Sequence, residues 1–161
     1  MIPMDHIFSI PDTAYLIRVV IRLGSAAVLG GLIGFERESM GKAAGLRTHM
    51  TVALGCAAFM LVAIESSSDA GNISRAIQGI AAGIGFIGAG TILKRNDDEH
   101  IKGLTTAATI WLTAAVGAAA GAGHGWLGLV GVLIAFLILS ILSGVDNWLA
   151  RKRGNPGGEQ R

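Results

Sequence analysis

The sequence predicts an all-α membrane protein, a bundle of about five transmembrane helices. Three observations predict it. Only 15% of the 161 residues are charged and 52% are hydrophobic, with a mean hydropathy of +0.58. A soluble domain usually carries about 25% charged residues. The charges fall in short clusters between long apolar runs, and a bilayer core of about 30 Å takes about 20 apolar residues per helix. The runs also lack the strand-like alternation of a membrane barrel, so helices must satisfy the backbone.

The runs cover about 15–35, 46–64, 77–93, 104–122 and 126–148. Runs two and three are short for a span, so flanking residues are expected to complete them. Residues 1–150 then form one membrane domain, and 151–161 a basic, Gly-rich tail expected to be disordered. The first 13 residues have no Lys or Arg ahead of the apolar run, which reads as a retained segment and not a signal peptide.

Ten of the 13 basic residues fall on one side of this arrangement: Arg37, Lys42, Arg47, Lys94, Arg95, Lys102, Arg151, Lys152, Arg153 and Arg161. The positive-inside rule therefore puts the tail in the cytoplasm and the N-terminus outside. Trp126 and Trp148 suit the two interfaces, whereas Trp111 lies mid-run and is expected to fill the bundle interior. The net charge of +2 gives no reason to expect nucleic acid as a partner. The lipid bilayer is the expected one.

The 24 glycines are the next signal. Glycine costs about 1 kcal/mol in a soluble helix, but in a membrane it lets helix backbones approach. Gly30 and Gly34 of run one, and Gly83, Gly85, Gly88 and Gly90 of run three, are therefore expected packing positions. In run four, Thr105, Thr109, Thr113, Gly117 and Gly121 recur every fourth residue. The row reads as packing, or as a polar path if the hydroxyls are not turned onto their own backbone. Gly83 to Gly88 spells G-x-G-x-x-G, but it lacks the strand and βαβ unit of a dinucleotide site. Cys56, the single cysteine, reads as a small packing residue.

Three charged groups stand out. Arg18 and Arg22 lie one turn apart, either snorkelling to the interface or holding an anion or an acid from another helix. Glu36, Arg37 and Glu38 lead into Arg47, Thr48 and His49, which read either as a solvated turn or as a site, with Glu36, Arg47 and His49 close enough to the membrane to face the bundle instead of water. Thr48 could cap a helix start. Lys94 to Lys102 encloses Asp97, Asp98, Glu99 and His100, read as a solvated loop that could attract a divalent cation. No Asp or Glu lies mid-run, which disfavours a carboxylate-centred transport cycle. No nucleophile–base pair, metal-ligand set or P-loop is visible, so the chain is not expected to be an enzyme, and no cofactor is expected. Mg²⁺ remains possible as ligand or substrate, through carboxylates and waters, and the metal residues stay unknown.

Four blocks carry a family resemblance. Leu29 to Glu38 (LGGLIGFERE), Ala44 to His49 (AGLRTH), Gly83 to Ile92 (GIGFIGAGTI) and Gly103 to Trp111 (GLTTAATIW) resemble the ordered motifs of the MgtC/SapB family. The resemblance implies a multi-pass bacterial inner-membrane protein linked to magnesium limitation and stress adaptation. The resemblance further implies action by regulating other membrane proteins, ATP synthase among them, with transport of Mg²⁺ or another ion by a homo-oligomer as the alternative. The motif residues that carry over are Glu36, Arg37, Gly45, Arg47, Thr48, Gly83, Gly85, Gly88, Gly90, Gly103 and Thr105. Many members continue into a soluble C-terminal domain, which is expected to be missing here. The family's Asp-Pro-x-Arg before run three is Asn72-Ile73-Ser74-Arg75 in this chain, and Gln78 falls one place early.

Overall fold

The computed structural model describes residues 12–66, 69–94 and 101–153. It is all-helical apart from one small ribbon. The helices are α1 (Thr13–Ser39), α2 (Leu46–Ser66), α3 (Ala70–Gly90), α4 (Leu104–Gly121) and α5 (Gly125–Arg153). Between α3 and α4, β1 (Leu93–Lys94) pairs antiparallel with β2 (Ile101–Lys102). Among the described residues, α1 to α4 are long and apolar enough to cross a membrane, and α5 carries a shorter apolar stretch, Gly125–Ile141. The protein is a multi-pass membrane protein.

The third span needs correction. Its helix starts at Ala70, seven positions before the apolar run, and stops at Gly90. The early turns hold Asn72, Ser74 and Arg75, which are polar yet helix-compatible, so hydropathy alone misses them. At the other end the Thr91 hydroxyl donates to the Gly88 carbonyl and closes the last turn. The chain then turns into the ribbon and returns at Gly103, whose φ is +96°. A Cβ there would stand 2.0 Å from the Thr91 carbonyl oxygen, so glycine is required twice over. The expected tail also starts later, because α5 continues through Arg153. Residues 154–161, and the acidic loop at Asp97 to His100, lie outside the described residues.

α4 is the hub, in contact with all four other helices. Half of its most apolar window is buried, against 11% for α3. Ala26, Ala53, Ala57 and Ala120 form one core cluster between α1, α2 and α4. Leu29, Ile33, Val116 and Val132 form a second, which reaches α5. Alanine dominates the first cluster because the backbones nearly touch. A Cβ on Gly30 would stand 2.6 Å from the His49 carbonyl oxygen, and one on Gly34 2.7 Å from the Leu46 Cα. On α4, Gly117 and Gly121 meet the Ala53 and Ala57 carbonyls, with Cβ separations of 2.2 and 2.4 Å. The α2–α4 contacts pair residues 64 apart in sequence (Ala53 with Gly117, Ala57 with Gly121), so these two helices run parallel.

α3 differs. A Cβ at Gly88 would make ordinary contact with Ala107, 3.6 Å away, but Gly83, Gly85 and Gly90 have no neighbour within 4 Å. The expected packing row of this helix therefore closes on the rest of the chain only at Gly88. The reason is its peripheral place: among the described residues of α3, only Ile84 and Gly88 are buried. Trp111 also departs from expectation. It lies at the α3–α4 seam and is 53% exposed, because the buried stripe of α4 runs through 106, 109, 110, 113, 114 and 117 and leaves position 111 outside.

Candidate functional site

The charged residues of the first two motif blocks meet at the α1–α2 junction. α1 ends at Ser39, and Gly41 turns the chain with φ +64°. Ala44 is buried under the bundle. Gly45 then packs on the Glu38 side chain, where a Cβ would stand 2.6 Å from Oε2. The same Oε2 accepts a 2.8 Å hydrogen bond from the Leu46 N–H, the first residue of α2. Glu38 therefore caps α2 from the end of α1. A carboxylate there satisfies an orphan N–H and complements the helix dipole. Thr48, the cap expected from sequence, lies inside the first turn instead.

Beneath this cap sit two buried polar side chains. Arg37 is 3% exposed and pairs with its neighbour Glu36 through two parallel hydrogen bonds, Nε to Oε2 and Nη2 to Oε1. A buried guanidinium without a partner would be very costly, and the fork-shaped pair offsets that cost. His49 is fully buried. Its Nδ1 lies 2.9 Å from the Gly45 carbonyl oxygen. That carbonyl can only accept, so Nδ1 carries the hydrogen and donates. Nε2 has no partner, the one such buried side-chain atom among the described residues. The charges near enough to act on the ring are Arg37 and Glu36. Arg47, expected to face the bundle, is exposed instead, and Thr48 is half-buried at the rim, where Glu38, Gly45, Leu46, Arg47 and Thr48 line an open cleft of about 440 Å³.

The remaining candidates lie elsewhere. Arg22 sits on the same helix as Glu36 but about 21 Å along it, at 1.5 Å per residue. Its Nη1 donates to the Gly121 carbonyl at 3.2 Å, and its guanidinium fits against Gly123, where a Cβ would stand 2.9 Å from Nη2. Arg22 thus satisfies a carbonyl at the end of α4, a favourable place for a cation. Thr105 is exposed and lines a groove between α4 and α5 with Leu112 and Ala135. Thr109 is buried, and its hydroxyl donates to the Thr106 carbonyl at 2.9 Å. The Thr113 hydroxyl donates likewise to Thr109 at 2.8 Å. These two hydroxyls serve their own helix and are not presented to a passage.

Sequence reasoning overlooked Thr106, which is 4% exposed. The every-fourth row drifts around the helix, and a 3.6-residue stripe finds 106 in place of 105. It also overlooked the Glu38 cap, which spans eight residues across a turn and leaves no local pattern. Among the described residues, no group of three or more His, Cys, Asp or Glu side chains could hold a metal ion.

No solved structure matches the chain. Curated relatives do. SrpB of Synechococcus elongatus is 45% identical over 130 residues, covering 74% of this chain and 71% of SrpB. YhiD of Escherichia coli, whose name describes a candidate magnesium transporter, is 44% identical over 129 residues, 76% of this chain and 59% of YhiD. MgtC of Brucella abortus is 42% identical over 135 residues, 82% of this chain and 56% of MgtC. The chain thus spans little more than half the length of the last two. The sequence model of the MgtC family matches residues 23–148, a stretch that holds the whole α1–α2 junction and the α2–α4 seam: the chain belongs to the MgtC family.

Proposed function

We propose that this protein is a non-enzymatic regulator of other membrane proteins, acting in magnesium homeostasis and stress adaptation from the bacterial cytoplasmic membrane. Its N-terminus faces outward and its C-terminus the cytoplasm, which puts the Glu36–His49 junction on the cytoplasmic side, following the distribution of basic residues. The family assignment and the magnesium-related name of YhiD support the magnesium link.

One observation carries the regulatory reading. Most polar groups of the bundle interior are turned onto the chain itself: Arg37 onto Glu36, Thr109 and Thr113 onto their own helix, and His49 through Nδ1, with Nε2 left unpartnered. Between them the seam is closed by Gly and Ala at backbone contact. A Mg²⁺ route needs oxygen ligands and retained waters, and this seam offers room for neither. Partner proteins, with ATP synthase the one the family resemblance implies, would be met through exposed helix faces and the junction. Self-association belongs to the same reading, since α3 leaves most of its surface uncovered.

The second reading, an oligomeric pathway for Mg²⁺ or another ion, is favoured by the name of YhiD. Ion flux decides between the two. Liposomes containing only the purified protein are expected to take up Mg²⁺ no faster than empty ones. Uptake that rises with protein and falls on Glu36→Gln would overturn the regulatory proposal.

A further inference from the structure

The end of the bundle opposite the junction holds a second polar constellation. α1 is 27 residues long and α4 only 18, about 40 Å against 27 Å. The first turns of α1 therefore rise past the α4–α5 turn, level with the end of α2. There a cleft of about 220 Å³ opens between α1 and α2. Val19, Leu61 and Ile64 form its apolar part, and Tyr15, Arg18, Arg22 and Glu65 its polar part.

The charges in this cleft are not used up by the fold. Arg18 is exposed, and no hydrogen bond or ion pair joins it to another described residue. Arg22 spends one donor on Gly121, out of the five a guanidinium carries. Glu65 is held by a hydrogen bond from the Tyr15 hydroxyl to Oε1, and a carboxylate has about four acceptor sites. The cleft thus offers two cations with free donors and one anion with free acceptors, above an apolar wall. It has room for about seven water molecules at ~30 Å³ each, the bulk of a phosphoethanolamine group.

We infer that this cleft binds the headgroup of a phospholipid that carries both a phosphate and a primary ammonium. The phosphate takes Arg18 and the spare donors of Arg22, and charge-assisted bonds of this kind are the strong ones. The ammonium donates to Glu65. Val19, Leu61 and Ile64 meet the glycerol and the first acyl carbons. A phosphatidylglycerol headgroup satisfies the arginines but offers Glu65 only neutral hydroxyl donors, which bond a carboxylate more weakly than an ammonium does. A phosphatidylcholine headgroup has no N–H to give Glu65. The site therefore discriminates by the ammonium and not by net charge.

Native mass spectrometry of the full chain, with phosphatidylethanolamine, phosphatidylglycerol and phosphatidylcholine added in turn, tests the assignment. The wild-type protein is expected to retain one phosphatidylethanolamine about tenfold better than either other lipid, the worth of one charge-assisted hydrogen bond. Arg18→Gln is expected to lose that retention without a change in melting temperature, since Arg18 makes no hydrogen bond or ion pair with another described residue. Glu65→Gln keeps an acceptor for Tyr15 and is expected to abolish the preference, so that phosphatidylglycerol binds as well as phosphatidylethanolamine. Equal retention of the three lipids by the wild type, or unchanged retention by Arg18→Gln, would overturn the inference. Displacement of the lipid by millimolar inorganic phosphate would overturn it too, by assigning the cleft to a free anion.

Discussion

The α2–α4 seam and the α3 helix are written in the same small-residue vocabulary and behave differently. Gly117 and Gly121 stand four apart on α4, and each lies against a backbone carbonyl of α2. Gly79 and Gly83 stand four apart on α3, and neither has a neighbour within 4 Å. Both sequences permit close helix approach. Only the first is used inside the chain, because α4 is the hub and α3 lies on the perimeter. Glycine spacing states what a helix surface can accept, and the topology decides whether anything arrives. At α3 it leaves, beside α2, an apolar groove of about 510 Å³ lined by Cys56, Phe59, Gly79 and Gly83.

The largest effect that would sharpen this contrast belongs to the tight half. Arg37→Ala leaves Glu36 without its partner and opens a buried void, and is expected to cost about 3–5 kcal/mol. Unfolding in detergent, followed by circular dichroism, checks it. A loss below about 1 kcal/mol would mean that water already reaches the pair.

Gly117→Ala and Gly83→Ala form the matched pair that could break the contrast. The added methyl at 117 must displace the Ala53 carbonyl, and overpacking of this kind costs about 1–3 kcal/mol. The same methyl at 83 meets open space and is expected to leave the stability of the chain within about 0.5 kcal/mol. Equal losses at the two positions would show α3 to be as tightly enclosed as α4. A smaller effect is expected at the junction rim. Glu38→Ala removes the α2 cap, at about 1 kcal/mol, and is expected to raise hydrogen exchange at Leu46 before it alters the rest of the helix.

How much of this was legible in the sequence depends on the distance over which each feature is encoded. Span four was readable almost to the residue, because Leu104 opens an apolar run that ends in the Ala122-Gly123 turn. The start of α3 was not, because Asn72 to Arg75 extend a helix that hydropathy alone cannot see. Glu36 and His49 could be singled out by their closeness to the membrane edge, but so could Arg47, which is exposed, while Arg37 is the buried cation. Their division of labour could not, since the burial that leaves His49 Nε2 without a partner comes from tertiary packing, with Gly30 and Gly34 of α1 set against this residue. Arg22 shows the limit most plainly. Its partner, the Gly121 carbonyl, is 99 positions away, and a backbone carbonyl carries no residue-type signal at all.

The central claim is that the seam between α1, α2 and α4 is dry, with the Thr109 and Thr113 hydroxyls bonded to their own helix. Thiol labelling at Thr113 tests it most directly. Thr113→Cys, made in a Cys56→Ala background so that the introduced thiol is the sole one, replaces a fully buried side chain with one of similar size. In native membranes it is expected to resist a water-soluble thiol reagent that needs the hydrated thiolate, while Gly41→Cys at the exposed turn reacts fully. Labelling of the cysteine at 113 at a rate near that of the one at 41 would mean that water fills the seam, and would contradict the account.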